Sequence, residues 1–334
     1  MQNTDPLTCL IIGCGNIAGG FDAKHKPDQL PLTHAGAYIK HGGFRLLACI
    51  DSNLERRMEF MRRWNIKESY PTSHDLGRQK GRFDVISICS PTSAHQADVD
   101  AALALRPRVI FCEKPLASNL KSAKHIISAC DQAKIPLLVN YNRRWDTSVI
   151  NLKRELEKGL WGRVRSVTGV YTRGVSNNGS HMVDLLQILL GPLSLTAIGT
   201  PVFDGLENDP SIPLSLVTKS GIPVVLSCGH ALDYSLFELQ IVTEFGVISM
   251  EDGGMVWRTR RVVESSLFRN YRSLDANSRL VVGGLRGSML AAIHEIHDIA
   301  IGEREQIPSS TGSNALAALR ICEAAKKLTM SHPA

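Results

Sequence analysis

Short apolar runs alternate with helical patterns from Cys9 to about Tyr141, and this alternation constrains the fold more than any other feature of the chain. The runs have the length of strands, and the segments between them carry apolar residues at helical spacing. The strands are predicted at 9–13, 45–51, 85–89, 109–112 and 136–140, and the helices at 34–40, 54–64, 94–105 and 120–134. Repeated strand–helix units are typical of a parallel sheet with helices on both faces. The N-terminal part is therefore predicted to be a doubly wound α/β domain.

Beyond Arg144 the pattern changes to consecutive strands with few crossovers. Strands are predicted at 164–171, 194–203, 212–218, 224–230, 236–243 and 246–250, and helices at 147–158, 181–190, 288–301 and 314–328. This pattern predicts an α+β domain with a large, mostly antiparallel open sheet. Because one face of an open sheet needs a cover of helices or of another subunit, we expect a homodimer or homotetramer.

The length of 334 residues fits two domains at roughly 150 residues each, and we place them at residues 1–142 and 143–334. The chain has 38 Lys and Arg against 32 Asp and Glu, a modest excess that is dispersed rather than clustered, so we expect no nucleic-acid partner. No apolar run approaches the roughly 20 residues that span a bilayer, and no membrane partner is expected.

The chain contains eight cysteines, which show neither a CxxC pair nor a zinc spacing, and we interpret them as reduced thiols of a cytoplasmic protein. His294 and His297 are three residues apart, whereas the zinc helix motif needs four. No metal site is predicted.

The first predicted strand leads into Gly13-Cys14-Gly15-Asn16-Ile17-Ala18, which fits the dinucleotide-binding fingerprint with Ala in the third position. In that fingerprint the first glycine permits a tight turn and the second lets the backbone approach a pyrophosphate. The small third residue allows close packing. An ordinary turn also contains glycines, so the loop alone is weak support for a cofactor site.

Asp51 ends the second predicted strand, where a carboxylate accepts hydrogen bonds from both ribose hydroxyls of an adenosine and repels a 2′-phosphate. It lies farther from the loop than the usual interval of roughly 20 residues. The segment from Gly19 to Thr33 is interpreted as an insertion that accounts for the excess. We therefore expect NAD as the cofactor, with NADP less favoured; Arg56 and Arg57 weaken that preference.

Two polar tripeptides follow later strands: Ser90-Pro91-Thr92, with His95 close behind, and Glu113-Lys114-Pro115. Ligands of an open parallel sheet bind beyond the carboxyl ends of its strands, so both tripeptides are expected to face the cofactor. A lysine beside an oxidised nicotinamide is partly desolvated and close to another positive charge, and both effects lower its pKa toward neutrality. Lys114 is then suited to bind and polarise a substrate oxygen.

Nearly the whole chain resembles the Gfo/Idh/MocA family of oxidoreductases. The resemblance rests on these motifs, on Asn142-Arg143-Arg144 and on the helix start Gly179-Ser180-His181. The resemblance implies an NAD-dependent dehydrogenase that moves a hydride between nicotinamide and a secondary hydroxyl or ketone. The implied substrate is a sugar, a sugar derivative or a nucleotide sugar. The helix start Asn-Asn-Gly-Ser-His at 177–181 is similar to that of enzymes of surface-sugar biosynthesis and favours a nucleotide sugar or an activated amino sugar. The cofactor contacts are expected at Gly13, Gly15, Asn16, Ile17, Asp51, Ser90, Pro91, Thr92, His95, Glu113, Lys114 and Asn142.

His181 is the second catalytic candidate, because a histidine in the first turn of a helix is favoured in its neutral, proton-accepting form. In the proposed division of labour His181 removes the hydroxyl proton and Lys114 stabilises the developing alkoxide. Asp184, three residues on, either orients the imidazole or complements the helix dipole. In many members of the family that the chain resembles, an Asp precedes the histidine by four residues. Here Asn177 stands there, so a carboxylate–histidine dyad is not carried over.

Arg143, Arg144 and Tyr171 are expected on the substrate side. Arginine suits carboxylate or phosphate recognition, but it also binds neutral hydroxyls and backbone carbonyls. The rival hypothesis is a NAD-binding sensor or regulatory subunit that keeps the fold without turnover.

Overall fold

The computed structural model describes residues 5–26, 28–76, 79–303 and 307–331. The chain divides into two compact units. The first runs to Trp145 and also takes in Arg286–Leu316, and the second comprises Asp146–Leu285 and the chain from Ala317 onward.

The α-helices are α1 (His34–His41), α2 (Leu54–Trp64), α3 (His95–Ala104), α4 (Leu120–Ala133), α5 (Thr147–Glu157), α6 (Ser180–Leu190), α7 (Ser288–Ile301) and α8 (Gly312–Ser331). The strands of the first unit are β1 (Leu7–Ile12), β2 (Phe44–Ile50), β3 (Glu68–Tyr70), β4 (Val85–Ile88), β5 (Val109–Cys112) and β6 (Leu137–Val139). Those of the second are β7 (Val164–Tyr171), β8 (Leu193–Ile198), β9 (Leu214–Thr218), β10 (Pro223–Cys228), β11 (Phe237–Thr243), β12 (Gly246–Glu251), β13 (Val256–Glu264), β14 (Arg272–Leu274) and β15 (Arg279–Val282).

In the described part of the first unit, a six-stranded parallel sheet has the order β3-β2-β1-β4-β5-β6. The strand order reverses between β1 and β4, as in doubly wound nucleotide-binding folds. Every residue of β4 and β5 is buried, because helices cover both faces of the sheet. The predicted fold class is confirmed. The edge strand β3, Glu-Ser-Tyr, was not predicted because three half-buried residues give no clear alternation.

Helix α7 belongs to the first unit, although its sequence lies far beyond the predicted boundary. Its apolar stripe, with Ala292, Ile293 and Ile296, lies in the same core as Tyr38 of α1. The indole of Trp145 also donates a hydrogen bond to Glu295 of this helix. The observed division thus differs from the predicted contiguous domain at 143–334. The sequence could not predict this, because the periodicity of α7 indicates a buried face but not the sheet that covers it.

At the contact between α1 and α7, the ring of His41 lies 4.5 Å from that of His294 and 4.7 Å from that of His297, measured between centroids. Phe44 packs against His41 and His297. The histidines therefore form an aromatic cluster. Across the described ranges, no group of three or more His, Cys, Asp or Glu side chains is arranged to hold a metal ion.

The described second unit is built on a large sheet with the order β14-β13-β12-β11-β7-β10-β9-β8, and β15 pairs with β13. All strand pairs on this path are antiparallel except β7 with β10, which is parallel. The predicted mostly antiparallel sheet is confirmed. Strand β13 was not predicted because its three arginines obscure the apolar alternation, and β14 and β15 were not predicted because they are only three and four residues long. Among the helices of residues 5–26, 28–76, 79–303 and 307–331, none is long and apolar enough to cross a membrane.

Candidate functional site

The loop after β1 has the shape that the fingerprint requires. Gly13 has φ +91°, and a Cβ built there would lie 2.6 Å from the carbonyl carbon of Cys89, so glycine is needed for both its conformation and its size. At Gly15 a Cβ would meet no protein atom within 4 Å, which leaves the backbone open to a ligand. Ala18 is fully buried, as close packing demands.

After this loop the chain makes a π-helical turn, Asn16–Gly20, and α1 begins only at His34. Asp22 closes the intervening insertion: its carboxylate accepts hydrogen bonds from the backbone N–H groups of Leu32 and Thr33, both 3.0 Å, and from the Thr33 hydroxyl, 2.6 Å. The Thr33 hydroxyl in turn accepts a hydrogen bond from Gly36 N–H and caps α1. Pro27 of the insertion lies outside the described residues.

Asp51, directly after β2, is buried and faces the loop. Its Oδ2 accepts a hydrogen bond from Cys14 N–H and its Oδ1 accepts one from Asn53 N–H, both 2.9 Å. An ionised carboxylate has about four acceptor positions, so it retains capacity for ribose hydroxyls. Arg56 Nη1 lies 3.4 Å from Oδ2, whereas Arg57 donates to the Asp51 backbone carbonyl.

A pocket adjoins the loop and is lined by residues that include Gly15, Asn16, Gly20, Asn53 and Arg56. The tight turn, the open backbone at Gly15 and the carboxylate after β2 fit an adenosine dinucleotide. The residues present would therefore hold NAD through backbone N–H groups at the pyrophosphate and through Asp51 at the ribose.

The segment after β4 differs in detail from the prediction. Ser90 donates its hydroxyl proton to Asp98, 2.6 Å away. His95 is buried, and its ring nitrogens face the backbone carbonyls of Leu116, 3.2 Å, and Ser90, 2.9 Å. This histidine links the segments that follow β4 and β5, which corrects the expectation that its ring faces the cofactor. Pro91 is exposed and Thr92 half-buried.

The Glu113-Lys114-Pro115 motif follows β5, with a cis peptide bond between Lys114 and Pro115. Lys114 is half-buried, while Glu113 is buried and bound from three sides. Its Oε1 pairs with His34 Nε2, 2.8 Å, and accepts from Asn140 Nδ2, 2.6 Å; its Oε2 accepts from Lys114 N–H, 3.3 Å. Burial raises the pKa of Glu113, but the hydrogen bonds from His34 and Asn140 and the charge of Lys114 outweigh it and lower the pKa below its usual value.

Asn142, Arg143 and Arg144 form a 3₁₀ turn with Trp145 after β6. Arg143 is buried, and Arg144 donates from Nη1 to the Ser309 carbonyl, 3.2 Å away. One nitrogen of the Arg144 guanidinium is thus hydrogen-bonded within the first unit. The substrate role predicted for these two arginines stays a prediction.

In the second unit, His181 is the second residue of α6 and is half-buried, and Asp184 is buried on the same helix. The backbone is already helical from Gly174, in a π-helical turn that ends at Gly179. The helix dipole argument for His181 is weaker than the sequence predicts, because this turn precedes α6. The orienting role of Asp184 stays a prediction.

Asp209 holds that turn and was missed by the sequence analysis. Its Oδ1 accepts from Ser176 N–H and its Oδ2 from Asn177 N–H, both 2.9 Å, and Lys326 Nζ lies 3.8 Å from Oδ1. Its position in a long segment between strands gave no sign of this contact. Asn177 is therefore fixed through its backbone by a carboxylate.

Tyr171 lies at the end of β7 and has no exposed surface. Its hydroxyl donates to the Ile212 carbonyl, 2.6 Å, and accepts from Ile212 N–H, 3.1 Å. Burial raises its pKa well above the usual value. The expectation of a substrate contact is corrected: Tyr171 is a core residue of the second unit.

Comparison with known proteins adds an independent finding for the first unit. Residues 7–141 match a family model described as an oxidoreductase family with an NAD-binding Rossmann fold. The match covers the phosphate loop, Asp51 and the Glu113-Lys114-Pro115 motif, and it confirms the fold predicted for this part of the chain.

Relatives extend the likeness beyond this unit. A D-apiose dehydrogenase from Paraburkholderia graminis is 26% identical over 239 residues, which are 66% of this chain and 60% of that protein. An inositol 2-dehydrogenase from Rhizobium meliloti is 26% identical over 273 residues, 73% of this chain and 77% of the relative. The chain thus spans somewhat less than two thirds of the first of these relatives.

The fold of nearly the whole chain recurs in a crystal structure of an oxidoreductase from Agrobacterium radiobacter in complex with NAD⁺, L-tartaric acid and magnesium. The TM-score is 0.75 at 22% identity, over 96% of this chain and 95% of the other. At this identity the likeness concerns the fold.

Proposed function

We propose that this chain is a member of the Gfo/Idh/MocA oxidoreductases, whose family model its first unit matches, and that it is an NAD-dependent dehydrogenase acting on a secondary hydroxyl, or on the corresponding ketone, of a sugar or sugar derivative. One observation carries the proposal: the open backbone at Gly15, the carboxylate of Asp51 and the Glu113-Lys114 pair lie beyond the carboxyl ends of β1, β2 and β5. Those strands share one parallel sheet, so their carboxyl ends lie at the same edge.

Nicotinamide, when bound, supplies the hydride acceptor. Lys114 binds the substrate oxygen and stabilises the negative charge that develops on it as its proton leaves. His181 takes that proton as the general base. Asn177 stands where many members of the family have an aspartate, and in this proposal Lys114 shares the acid–base work with His181.

The substrate class is proposed from the relatives, whose names specify D-apiose and inositol. Both compounds carry several neutral hydroxyl groups. We propose a neutral polyol or free sugar as the first choice and a nucleotide sugar as the second.

A panel of myo-inositol, D-apiose, D-xylose and UDP-N-acetylglucosamine, each with NAD and with NADP, tests the activity through NADH or NADPH formation. With the best substrate, Lys114→Ala is expected to lower kcat by at least about 10²-fold while the Kd for NAD stays within a few-fold of wild type. Lys121→Ala, an exposed lysine on α4, is the matched control. NAD binding without turnover of any panel compound would favour the sensor instead.

We further propose that the chain assembles as a homodimer or homotetramer in the cytoplasm. The alternating exposed residues of β10, such as Val225 and Ser227, leave one face of the sheet open for a second copy. All eight cysteines have free thiols, which supports a reducing compartment. The molar mass from light scattering should be two or four times that of the chain, and a monomer at micromolar concentration would contradict the proposal.

A further inference from the structure

A chain of buried polar groups leads to Glu113 of the Glu113-Lys114 motif, and its members come from three separate segments of the sequence. Tyr38 of α1, Ser87 of β4 and His34 at the start of α1 have no exposed surface. The Tyr38 and Ser87 hydroxyl oxygens are 2.8 Å apart, and Ser87 Oγ lies 3.0 Å from His34 Nδ1. The other ring nitrogen, Nε2, lies 2.8 Å from Glu113 Oε1.

The direction of these hydrogen bonds follows from the chemistry of the two ends. Burial raises the pKa of Tyr38 well above its usual value, so its hydroxyl keeps its proton and donates to Ser87. Ser87 then donates to His34 Nδ1, and the imidazole N–H at Nε2 donates to the Glu113 carboxylate. In this arrangement each of the four side chains has a hydrogen-bond partner.

Glu113 connects these hydrogen bonds to the backbone of Lys114. While Oε1 is held by His34 and by Asn140, Oε2 accepts the backbone N–H of Lys114 at 3.3 Å. A carboxylate that is fixed at one oxygen is fixed at the other. The backbone of Lys114 is therefore tied through Glu113 to a side chain at the N-terminus of α1.

We propose that His34 is a positioning residue for Lys114, acting through Glu113. The inference rests on the proposed function, because it assumes that the amine of Lys114 must be held in place for turnover. Small displacements of a group at a reacting centre are enough to cost a large part of the rate.

The insertion before α1 contributes to the position of His34. Its last residue, Thr33, is bound by Asp22 through both its N–H and its hydroxyl, and His34 follows directly. The closure of the insertion by Asp22 thus sets where α1 begins, and with it the place of the imidazole.

Two variants separate the contact with Glu113 from the mere presence of a polar side chain at position 34. The amide nitrogen of His34→Gln reaches about as far as Nε2, whereas His34→Asn has polar atoms only near the position of Nδ1. His41→Asn is the matched control, a histidine on the same helix that packs against His294 and His297 instead. Thermal unfolding and the Kd for NAD are measured first, to show that each variant folds and binds.

Amide hydrogen exchange gives a readout that needs no substrate. Pro115 has no amide proton, so a short peptide spanning the motif reports chiefly on Lys114 and its few neighbours. Exchange of the Lys114 amide should be faster by at least about tenfold in His34→Asn and near wild type in His34→Gln and His41→Asn. Unchanged protection in His34→Asn would overturn the inference.

Turnover with NAD and the best substrate of the panel gives the second readout. His34→Asn should lower kcat on the order of 10- to 100-fold with a nearly unchanged KM, and His34→Gln should recover most of it. In a Glu113→Gln background the same His34→Asn change should have little further effect, because the two residues act as one unit. Full additivity, or equal losses in both His34 variants, would refute the positioning role. A wild-type rate in Lys114→Ala would instead overturn the proposed function.

Discussion

At the scale of single residues, Asp51 is the carboxylate that binds the phosphate loop and that we propose also binds the ribose of the cofactor. It accepts hydrogen bonds from the N–H groups of Cys14 and Asn53 and retains acceptor positions for the ribose hydroxyls of the proposed cofactor. Arg56, with a side chain 55% exposed, lies beside it, with Nη1 3.4 Å from Oδ2. We therefore propose that this ion pair, of which only the carboxylate is buried, determines the preference for NAD over NADP.

Asp51→Asn should weaken NAD binding by about 10- to 100-fold, since hydrogen bonds to a charged acceptor are worth about 1.5–3 kcal/mol. The affinity for NADP should fall less than that for NAD, or rise, because the repulsion of the 2′-phosphate is removed and Arg56 is released from its ion pair. Titration of both cofactors against wild type and Asp51→Asn measures the ratio. The control is Asp100→Asn on the exposed face of α3, and an unaltered NAD to NADP ratio would contradict the assignment.

The role of a single residue can be predicted from the sequence when it depends on adjacent residues, and not when it depends on partners far along the chain. Gly13 was predictable because the adjacent residues, an apolar strand before it and a second glycine after it, indicate a strand-to-loop turn with positive φ. Tyr171 and His95 were misjudged, since their partners, Ile212 and Leu116, come from distant segments. His34 was not proposed as a site residue for the same reason: Glu113 lies far along the chain and meets it only in the fold.

At the scale of elements, the helices and strands with a regular apolar period were predictable almost to their ends. Helix α2 and strand β7 have the predicted bounds. The short edge strand β3 and the arginine-rich β13 lack such a period and were missed. Periodicity identifies a buried face but not the element that covers it, which is why α7, predicted as part of the second domain, lies in the first compact unit.

The packing of α1 on α7 predicts a pH dependence of stability. Burial and the neighbouring rings of His294 and His297 lower the pKa of His41 to about 4, although Asp298 acts in the opposite direction. The unfolded chain, with a histidine pKa of about 6.5, binds the proton more readily. Stability is therefore unaffected above about pH 6.5 and is lost as the pH falls from there toward about 4.

His41→Gln removes this titration. Its loss of stability between about pH 6.5 and 4 should be smaller than that of wild type by on the order of 1 kcal/mol, a value reduced for the partial exposure of the ring. Urea unfolding at a series of pH values measures the difference. Parallel curves for the two proteins would show that His41 does not contribute.

At the scale of the whole molecule, the two units supply different parts of the proposed chemistry. The first provides the loop, Asp51 and Lys114 on one parallel sheet, and its match to an NAD-binding oxidoreductase family covers all three. The second provides His181 on α6, after a turn anchored by Asp209. Neither unit contains both proposed catalytic residues.

Transfer of deuterium tests the central claim most directly. Wild-type protein is incubated with NAD and with a panel substrate, myo-inositol first, that carries deuterium on its carbinol carbons, and the reduced cofactor is analysed by mass spectrometry. The account predicts one deuterium per reduced cofactor, and almost none formed by Lys114→Ala or His181→Ala at equal NAD occupancy. Reduced cofactor without deuterium, or equal yields from wild type and both variants, would contradict it.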